Sequence, residues 1–235
     1  MPKVHVLPDI VANKIAAGEV VERPASVVKE LVENSLDAGA KSVTVEVEDG
    51  GRRRIRVSDD GEGMSREDAL LALERHATSK IKDAGDIERI LTLGFRGEAL
   101  PSIVSVSRTV IETRRREDEF GTRVVVESGV FRDVTDSGRD PGTVVEVKNL
   151  FYNLPVRRKF LGAADTELRH LKTVLYEYAA ASPEVSFSLV SEGREVFARK
   201  SGGGREEMLA EVFGETVANR MVTVEVEADG ISVSG

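Results

Sequence analysis

Two residue periods alternate along this chain, and that alternation limits the possible fold more than any other feature. From Pro24 to Gly39 apolar residues recur three or four apart, at Val27, Val28, Leu31, Val32 and Leu36, the spacing of a helix with one buried stripe. Pro24 suits the first turn, where its missing N–H has no intrahelical partner to lose, and Gly39 supplies a stop. The period then falls to two. Val43, Val45 and Val47 alternate with polar neighbours, Asp49-Gly50-Gly51 turns the chain, and Ile55 and Val57 bring it back as a β-hairpin. A hairpin with one apolar face needs a cover, and the sequence places an amphipathic helix beside it.

The same grammar continues downstream. Ser65 and Asp68 have capping spacing and open a helix through Ala69 to Leu73 that is predicted to end near His76. Alternation predicts strands at 105–113, 120–127, 130–135 and 142–148. A helix over 166–181 carries Leu168, Leu171, Leu175 and Tyr178 and stops before Pro183, and a hairpin from Val185 through Glu192-Gly193 to about Ala198 follows. The expected fold class is α+β, a sandwich with helices packed on one face of a mixed, mostly antiparallel sheet. Ser201-Gly202-Gly203-Gly204 is linker-like and marks a boundary, with a short helix and strands at 221–228 and 231–234 after it. Those last residues are too few for a domain, so the chain reads as a fragment of a longer protein.

Composition removes several classes of function. Cysteine is absent, which excludes disulfides, thiol catalysis and Cys-ligated metal centres, and a reducing cytoplasm fits. No segment approaches the length of an apolar membrane span, so no membrane partner is expected. With 33 basic and 41 acidic residues and a net charge of −8, any DNA contact has to be local. Arg52-Arg53-Arg54, Arg114-Arg115-Arg116 and Arg157-Arg158-Lys159 are the candidate runs, although such runs are often simply solvated.

The candidate chemistry starts on the first long helix. Glu30 and Asn34, four apart, border its apolar stripe, while Lys29 and Glu33 are expected to point further into solvent. An amide oxygen suits Mg²⁺, which takes few protein ligands when phosphates supply the rest, and a carboxylate beside it can orient or deprotonate a water. Taken alone, the pair also fits a solvated polar edge. Asp59-Asp60-Gly61-Glu62-Gly63-Met64 follows a strand: Asp59 can accept a hydrogen bond from an exocyclic amine, and the glycines allow close approach of a flat ligand. An ordinary turn would use the same residues. Gly94-Phe95-Arg96-Gly97-Glu98-Ala99-Leu100 leads into a helix and can offer backbone N–H groups to an anion, as a plain loop-to-helix junction also would. Thr78-Ser79-Lys80 can reach phosphate or metal-bound water, or merely end a helix. Gly142-Thr143 opens a strand. Between 77 and 100 periodicity weakens over a stretch long enough to suggest a lid. There is no Gly-x4-Gly-Lys-Ser/Thr loop. Together these parts describe a nucleotide triphosphatase.

The segment Ile15-Ala16-Ala17-Gly18-Glu19-Val20-Val21-Glu22-Arg23-Pro24, running into Glu30-Leu31-Val32-Glu33-Asn34-Ser35-Leu36-Asp37-Ala38-Gly39-Ala40, resembles the MutL family of mismatch-repair ATPases. His76 to Lys80, Gly94 to Leu100 and Leu150-Phe151-Tyr152-Asn153-Leu154-Pro155-Val156-Arg157-Arg158-Lys159-Phe160-Leu161 are similar to the same family. The shorter motifs are shared with gyrase B, heat-shock chaperones and histidine kinases. The resemblance implies a Mg²⁺-dependent ATPase acting as a clamp or switch, with ATP and Mg²⁺ as cofactors. A non-hydrolytic, nucleotide-gated binding and dimerisation module is the alternative. It implies Glu30 as general base, Asn34 as Mg²⁺ ligand, Asp59 as adenine partner, and Ala38, Gly63 and Met64 in the nucleotide pocket. Thr78, Ser79, Lys80 and residues Gly94 through Leu100 would meet phosphates, and Thr143 would assist adenine recognition through water. Asp60 adds a charge beside the pocket. The implied organisation is an N-terminal strap at 1–20, an ATPase domain at 21–200 with a lid at 78–100, and the start of a transducer domain at 205–235, whose continuation would supply a lysine to the γ-phosphate. The implied partners are the mismatch-recognition protein MutS, a downstream repair nuclease or helicase, DNA bound weakly, and a second copy on ATP binding.

Overall fold

The computed structural model describes residues 18, 20–75, 77, 97–202, 209–210, 213–222, 224–228 and 231–234. Its elements in chain order are α1 (Pro24–Asp37), β1 (Ser42–Glu48), β2 (Arg54–Asp59), α2 (Arg66–Leu71), α3 (Ala99–Ser105), β3 (Arg108–Arg114), β4 (Gly121–Glu127), β5 (Val130–Ser137) and β6 (Gly142–Lys148). They continue with α4 (Pro155–Phe160), α5 (Ala164–Ala181), β7 (Ser186–Ser191), β8 (Arg194–Arg199), α6 (Glu215–Ala218), β9 (Glu225–Ala228) and β10 (Ile231–Ser234). Strands β1 to β8 form one sheet in the order β5-β4-β3-β6-β2-β1-β7-β8, and β9 and β10 pair in a separate two-stranded sheet. Within the large sheet β1 and β7 run parallel, and the other neighbours are antiparallel.

The period of two explains which face is covered. Val43, Val45 and Val47 of β1 stand opposite Phe187, Leu189 and Ser191 of β7 on one side and opposite Asp59, Val57 and Ile55 of β2 on the other. With Ile111, Val124 and Val147 they join Val27, Val28, Leu31 and Val32 of α1 and Leu171 and Leu175 of α5 in one core. The opposite face is polar. Arg54 reaches Glu46, Glu48 and Glu146 at 3.2, 3.0 and 3.4 Å, and Arg123 reaches Glu112 and Asp133 at 3.5 and 3.8 Å. Charges of both signs interleaved across strands keep that face wetted and discourage stacking of a second sheet on it.

Several boundaries differ from the sequence expectation, each for a local reason. The strand expected from 105 begins at Arg108, because Ser105 and Ser107 return their hydroxyls to helix carbonyls of Ser102 and Ile103 at 2.8 and 2.7 Å. What reads as alternation is the end of α3. Ser65 caps α2 as expected, accepting the Asp68 N–H, but helical geometry stops at Leu71 and gives way to turns closed by Leu73 and Glu74. Strand β9 begins at Glu225 rather than 221. Helix α4 is absent from the sequence reading, since it buries none of its residues and so carries no apolar period.

Candidate functional site

Helix α1 keeps a polar edge beside its buried stripe. Val27, Val28 and Val32 are fully buried, and Glu30 and Asn34, one turn apart, lie half-exposed at the margin of that stripe. Glu33 is the exception to the expected pattern. It is 8% exposed rather than solvated, because α5 packs across α1 and Tyr178 donates its hydroxyl hydrogen bond to Glu33 Oε1, with the Lys29 ammonium 3.8 Å away. Burial, and then the Glu33 carboxylate, hold the Tyr178 hydroxyl far above its ordinary titration range.

Asp59 ends β2 directly beneath α1. Its Oδ1 accepts two backbone N–H groups, from Gly61 at 3.0 Å and Thr143 at 3.1 Å. Its Oδ2 lies 2.9 Å from Ser35 Oγ, which also bonds the Leu31 carbonyl at 3.0 Å. An ionised carboxylate has about four acceptor positions. Among the described residues two are filled at Oδ1 and one at Oδ2, so a single position remains for one further N–H donor. Burial raises the Asp59 carboxyl above its ordinary value, opposed in turn by the Gly61, Ser35 and Thr143 hydrogen bonds and by the charge of Arg139.

Glycines bring three stretches of backbone together around this carboxylate. At Gly142, with φ +117°, an added Cβ would lie 2.2 Å from the Asp59 carbonyl oxygen, and at Gly63, with φ +69°, 2.1 Å from the Arg114 carbonyl oxygen. No side chain fits either place. The loop is tied down again by Glu62 N–H to the Ala38 carbonyl at 3.0 Å and by Met64 N–H to Thr113 Oγ1 at 2.8 Å. Asp60 is held in place: its Oδ1 accepts the N–H groups of Lys41 and Ser42 at 2.8 and 2.9 Å, fastening the turn into β1.

Ala38, Asp59, Gly63, Met64 and Thr143 therefore belong to one region, at the C-terminal end of α1 and the adjoining edges of β2, β3 and β6, and Asn34 and Glu30 lie one and two turns back along α1 from Ala38. Gly97, Glu98, Ala99 and Leu100 lie at the start of α3. A Cβ on Gly97 would meet the Ala77 carbonyl oxygen at 2.5 Å, so the two flanks of segment 78–96 meet in space. Thr78, Ser79, Lys80, Gly94, Phe95 and Arg96, with most of the expected lid and strap, lie outside the described residues.

Residues 22–129 match the family described as Histidine kinase-, DNA gyrase B-, and HSP90-like ATPase. The ATPase domain of Aquifex aeolicus MutL complexed with ADP superposes with a TM-score of 0.68 at 39% identity, over 91% of this chain and 75% of that one. The chain belongs to the MutL family. A second solved structure, the N-terminal domain of a DNA repair protein, has a TM-score of 0.74 at 27% identity over 92% of this chain and 64% of its own. DNA mismatch repair protein MutL of Anaeromyxobacter dehalogenans is 52% identical over 100% of this chain and 39% of its own length. The MutL of Geobacter sulfurreducens is 52% identical over 99% and 38%. The chain thus spans about two fifths of the curated relatives it matches.

Within this MutL-family fold, the arginine runs have separate fates. Arg52, Arg53 and Arg54 are engaged by carboxylates: Asp49 Oδ1 at 2.6 Å, Glu48 Oε2 at 2.8 Å, and the Arg54 cluster of the open sheet face. Arg115 pairs with Asp118 at 2.9 Å. The 157–159 run lies on α4, where Arg158, Lys159 and the neighbouring Phe160 are exposed and Arg157 rests against Gly18 and over the Phe151 ring. Sequence reasoning missed Ser35 and Thr113 as hydrogen-bond partners around Asp59 and Met64. Ser35 sits in the apolar arc beside Asn34, a polar residue on a buried stripe, and that was its available signal; Thr113 looks like any inward threonine of a strand.

Proposed function

We propose that this chain is the ATP-binding and ATP-hydrolysing head of a DNA mismatch repair protein, a nucleotide-driven clamp that couples mismatch recognition to downstream repair. The observation that carries the reading is the single acceptor position that the described residues leave on Asp59, a partly buried carboxylate that three N–H and O–H groups otherwise occupy. That position fits the exocyclic amine of adenine, and a guanine carbonyl there would meet acceptor against acceptor. The Aquifex relative's ADP agrees with it.

Adenine held at Asp59 directs the phosphates along α1. Asn34, next to Ser35, offers a neutral amide oxygen there and would hold Mg²⁺. Among the described residues no group of three His, Asp or Glu side chains is placed to bind a metal, so the cation would share Asn34 with phosphate and water, as Mg²⁺ does in nucleotide sites. Bound there, it would neutralise phosphate charge. Glu30, one turn earlier, orients and deprotonates the attacking water. The N–H groups of Ala99 and Leu100 precede the first intrahelical acceptors of α3 and face phosphate oxygens, joined by Gly97, Glu98 and the 78–80 and 94–96 residues of the lid. Thr143 supports the base through water. MutS, a repair nuclease or helicase, and a second copy on ATP binding are the proposed partners, with weak DNA contact at the exposed 157–159 run.

Glu30→Ala separates binding from chemistry. The variant is expected to bind ATP with Mg²⁺ at near wild-type affinity while turnover falls by roughly 10²-fold or more. Wild-type turnover in the purified variant overturns the general-base role, and loss of both binding and turnover overturns the division of labour between Glu30 and Asn34.

A further inference from the structure

Thr113 is the last but one residue of β3, fully buried, with its hydroxyl among three polar groups from two other segments. Met64 N–H donates to Thr113 Oγ1 at 2.8 Å. Thr143 Oγ1 lies at 2.9 Å and the Gly142 carbonyl at 3.3 Å. One hydroxyl offers one proton and two acceptor positions. Accepting from Met64, it has one acceptor position and its proton left for Thr143 and Gly142, and every arrangement of the protons leaves both walls of the pocket bonded to this one oxygen.

These are the walls that enclose Asp59. Thr143 supplies one of the two N–H groups on Asp59 Oδ1, and Gly61, two residues past Asp59 in the loop that ends at Met64, supplies the other. The close approaches of Gly63 to Arg114 and of Gly142 to Asp59 leave no side chain between the walls. Backbone pairing already holds Thr113 to Thr143 across β3 and β6, and the Thr113 hydroxyl ties the Met64 loop to that pair, which sets the separation of the two walls.

We propose that Thr113 is a positioning and specificity-determining residue for the nucleotide base: its hydroxyl sets the spacing between the Met64 and Thr143 walls and orients the Thr143 hydroxyl, so that the open acceptor of Asp59 meets an adenine amine in plane. The inference rests on the adenine reading of Asp59. It differs from a packing role because the methyl of Thr113 could be kept, and the volume preserved, while the function is lost.

The test compares Thr113→Val with Thr113→Ser in the full chain, titrating ATP, GTP and inorganic tripolyphosphate in the presence of Mg²⁺. Removing the hydroxyl leaves the buried Met64 N–H without its acceptor, so Thr113→Val is expected to lose about tenfold in ATP affinity and in the ATP-over-GTP preference, the scale of one such bond. Tripolyphosphate, which has no base, is expected to bind as before. Thr113→Ser is expected to restore both ATP affinity and base preference. If Thr113→Val does not fold, Thr113→Ala, which removes the hydroxyl without placing a methyl against polar groups, is read in its place. A folded variant without the hydroxyl that keeps wild-type base preference overturns the inference, as does equal loss of tripolyphosphate and ATP. Asp59→Asn is titrated alongside. If it changes base preference while the hydroxyl-less variants do not, the Thr113 inference alone falls; if it changes nothing, the adenine reading and this inference fall together.

Discussion

Asp59 shows at the level of one side chain how a group proposed to bind adenine opposes stability. Its carboxyl is raised above its ordinary value of 3.8 chiefly by burial, so the ionised form costs the folded state free energy. The sign follows from linkage. The folded chain binds its proton more readily than the unfolded one, so the penalty is fully present above the folded pKa and disappears as pH falls towards 3.8. Asparagine at this position can still accept from Gly61 and Thr143 and can donate to Ser35 Oγ, which then gives its own proton to Leu31. Asp59→Asn is therefore expected to melt higher than wild type at neutral pH, with the gap closing as pH falls through that window. Its preference for ATP over GTP is expected to collapse. Thermal unfolding across pH and nucleotide titration measure the two halves; a variant that melts lower at neutral pH contradicts the burial argument. For the wild type, adenine affinity is expected to fade at a higher pH than for a carboxylate of ordinary value, because the protonated acid no longer offers the acceptor.

Elements, rather than residues, decide how α1 is held. Tyr178 on α5 bonds Glu33, and the contact crosses from one helix to another 145 residues later. Tyr178→Phe keeps the ring packed and removes only the hydroxyl, leaving a nearly buried carboxylate with the distant Lys29. The expected cost is about 1–3 kcal/mol of unfolding free energy, read by denaturant unfolding, and a change below about 0.5 kcal/mol would assign Glu33 to solvent after all. The start of β6 is held to β2 in a different way, by a backbone conformation. Gly142→Ala places a methyl 2.2 Å from the Asp59 carbonyl oxygen at a φ of +117°, and is expected to cost about 3 kcal/mol or more and to displace the Thr143 N–H from Asp59. Unchanged stability together with unchanged ATP affinity would contradict the close approach.

Over the whole molecule, the parallel pairing of β1 with β7 is the joint that holds the sheet together. It brings the β7–β8 hairpin and α5 onto the strand that follows α1, and so completes the core behind the site. Phe187, 1% exposed and opposite Val43, fills that joint. Phe187→Ala is expected to destabilise the domain by about 3–5 kcal/mol through lost burial and the cavity left behind. Because β1 leads directly from the helix carrying Glu30 and Asn34, the variant is also expected to bind ATP less tightly at temperatures well below its own midpoint. Calorimetric unfolding with and without ATP checks both.

Local periodicity was enough to read α1, the β1–β2 hairpin, β6 and the β7–β8 hairpin, because apolar spacing at 3.6 or 2 residues is written in adjacent positions and needs no partner to be recognised. The spacing of Glu30 and Asn34 and the glycines around Asp59 were legible on the same ground, and the long MutL-like blocks gave them roles that the residues alone left open. A period of two says that one face of a strand is buried and says nothing about its neighbour. Strand order, the parallel β1–β7 pair, the burial of Glu33 beneath Tyr178 and the meeting of Thr113 with Met64 and Thr143, 49 and 30 residues away, are contacts between distant stretches of chain. They exist once the core has closed, since only then does each buried polar group have to find its partner.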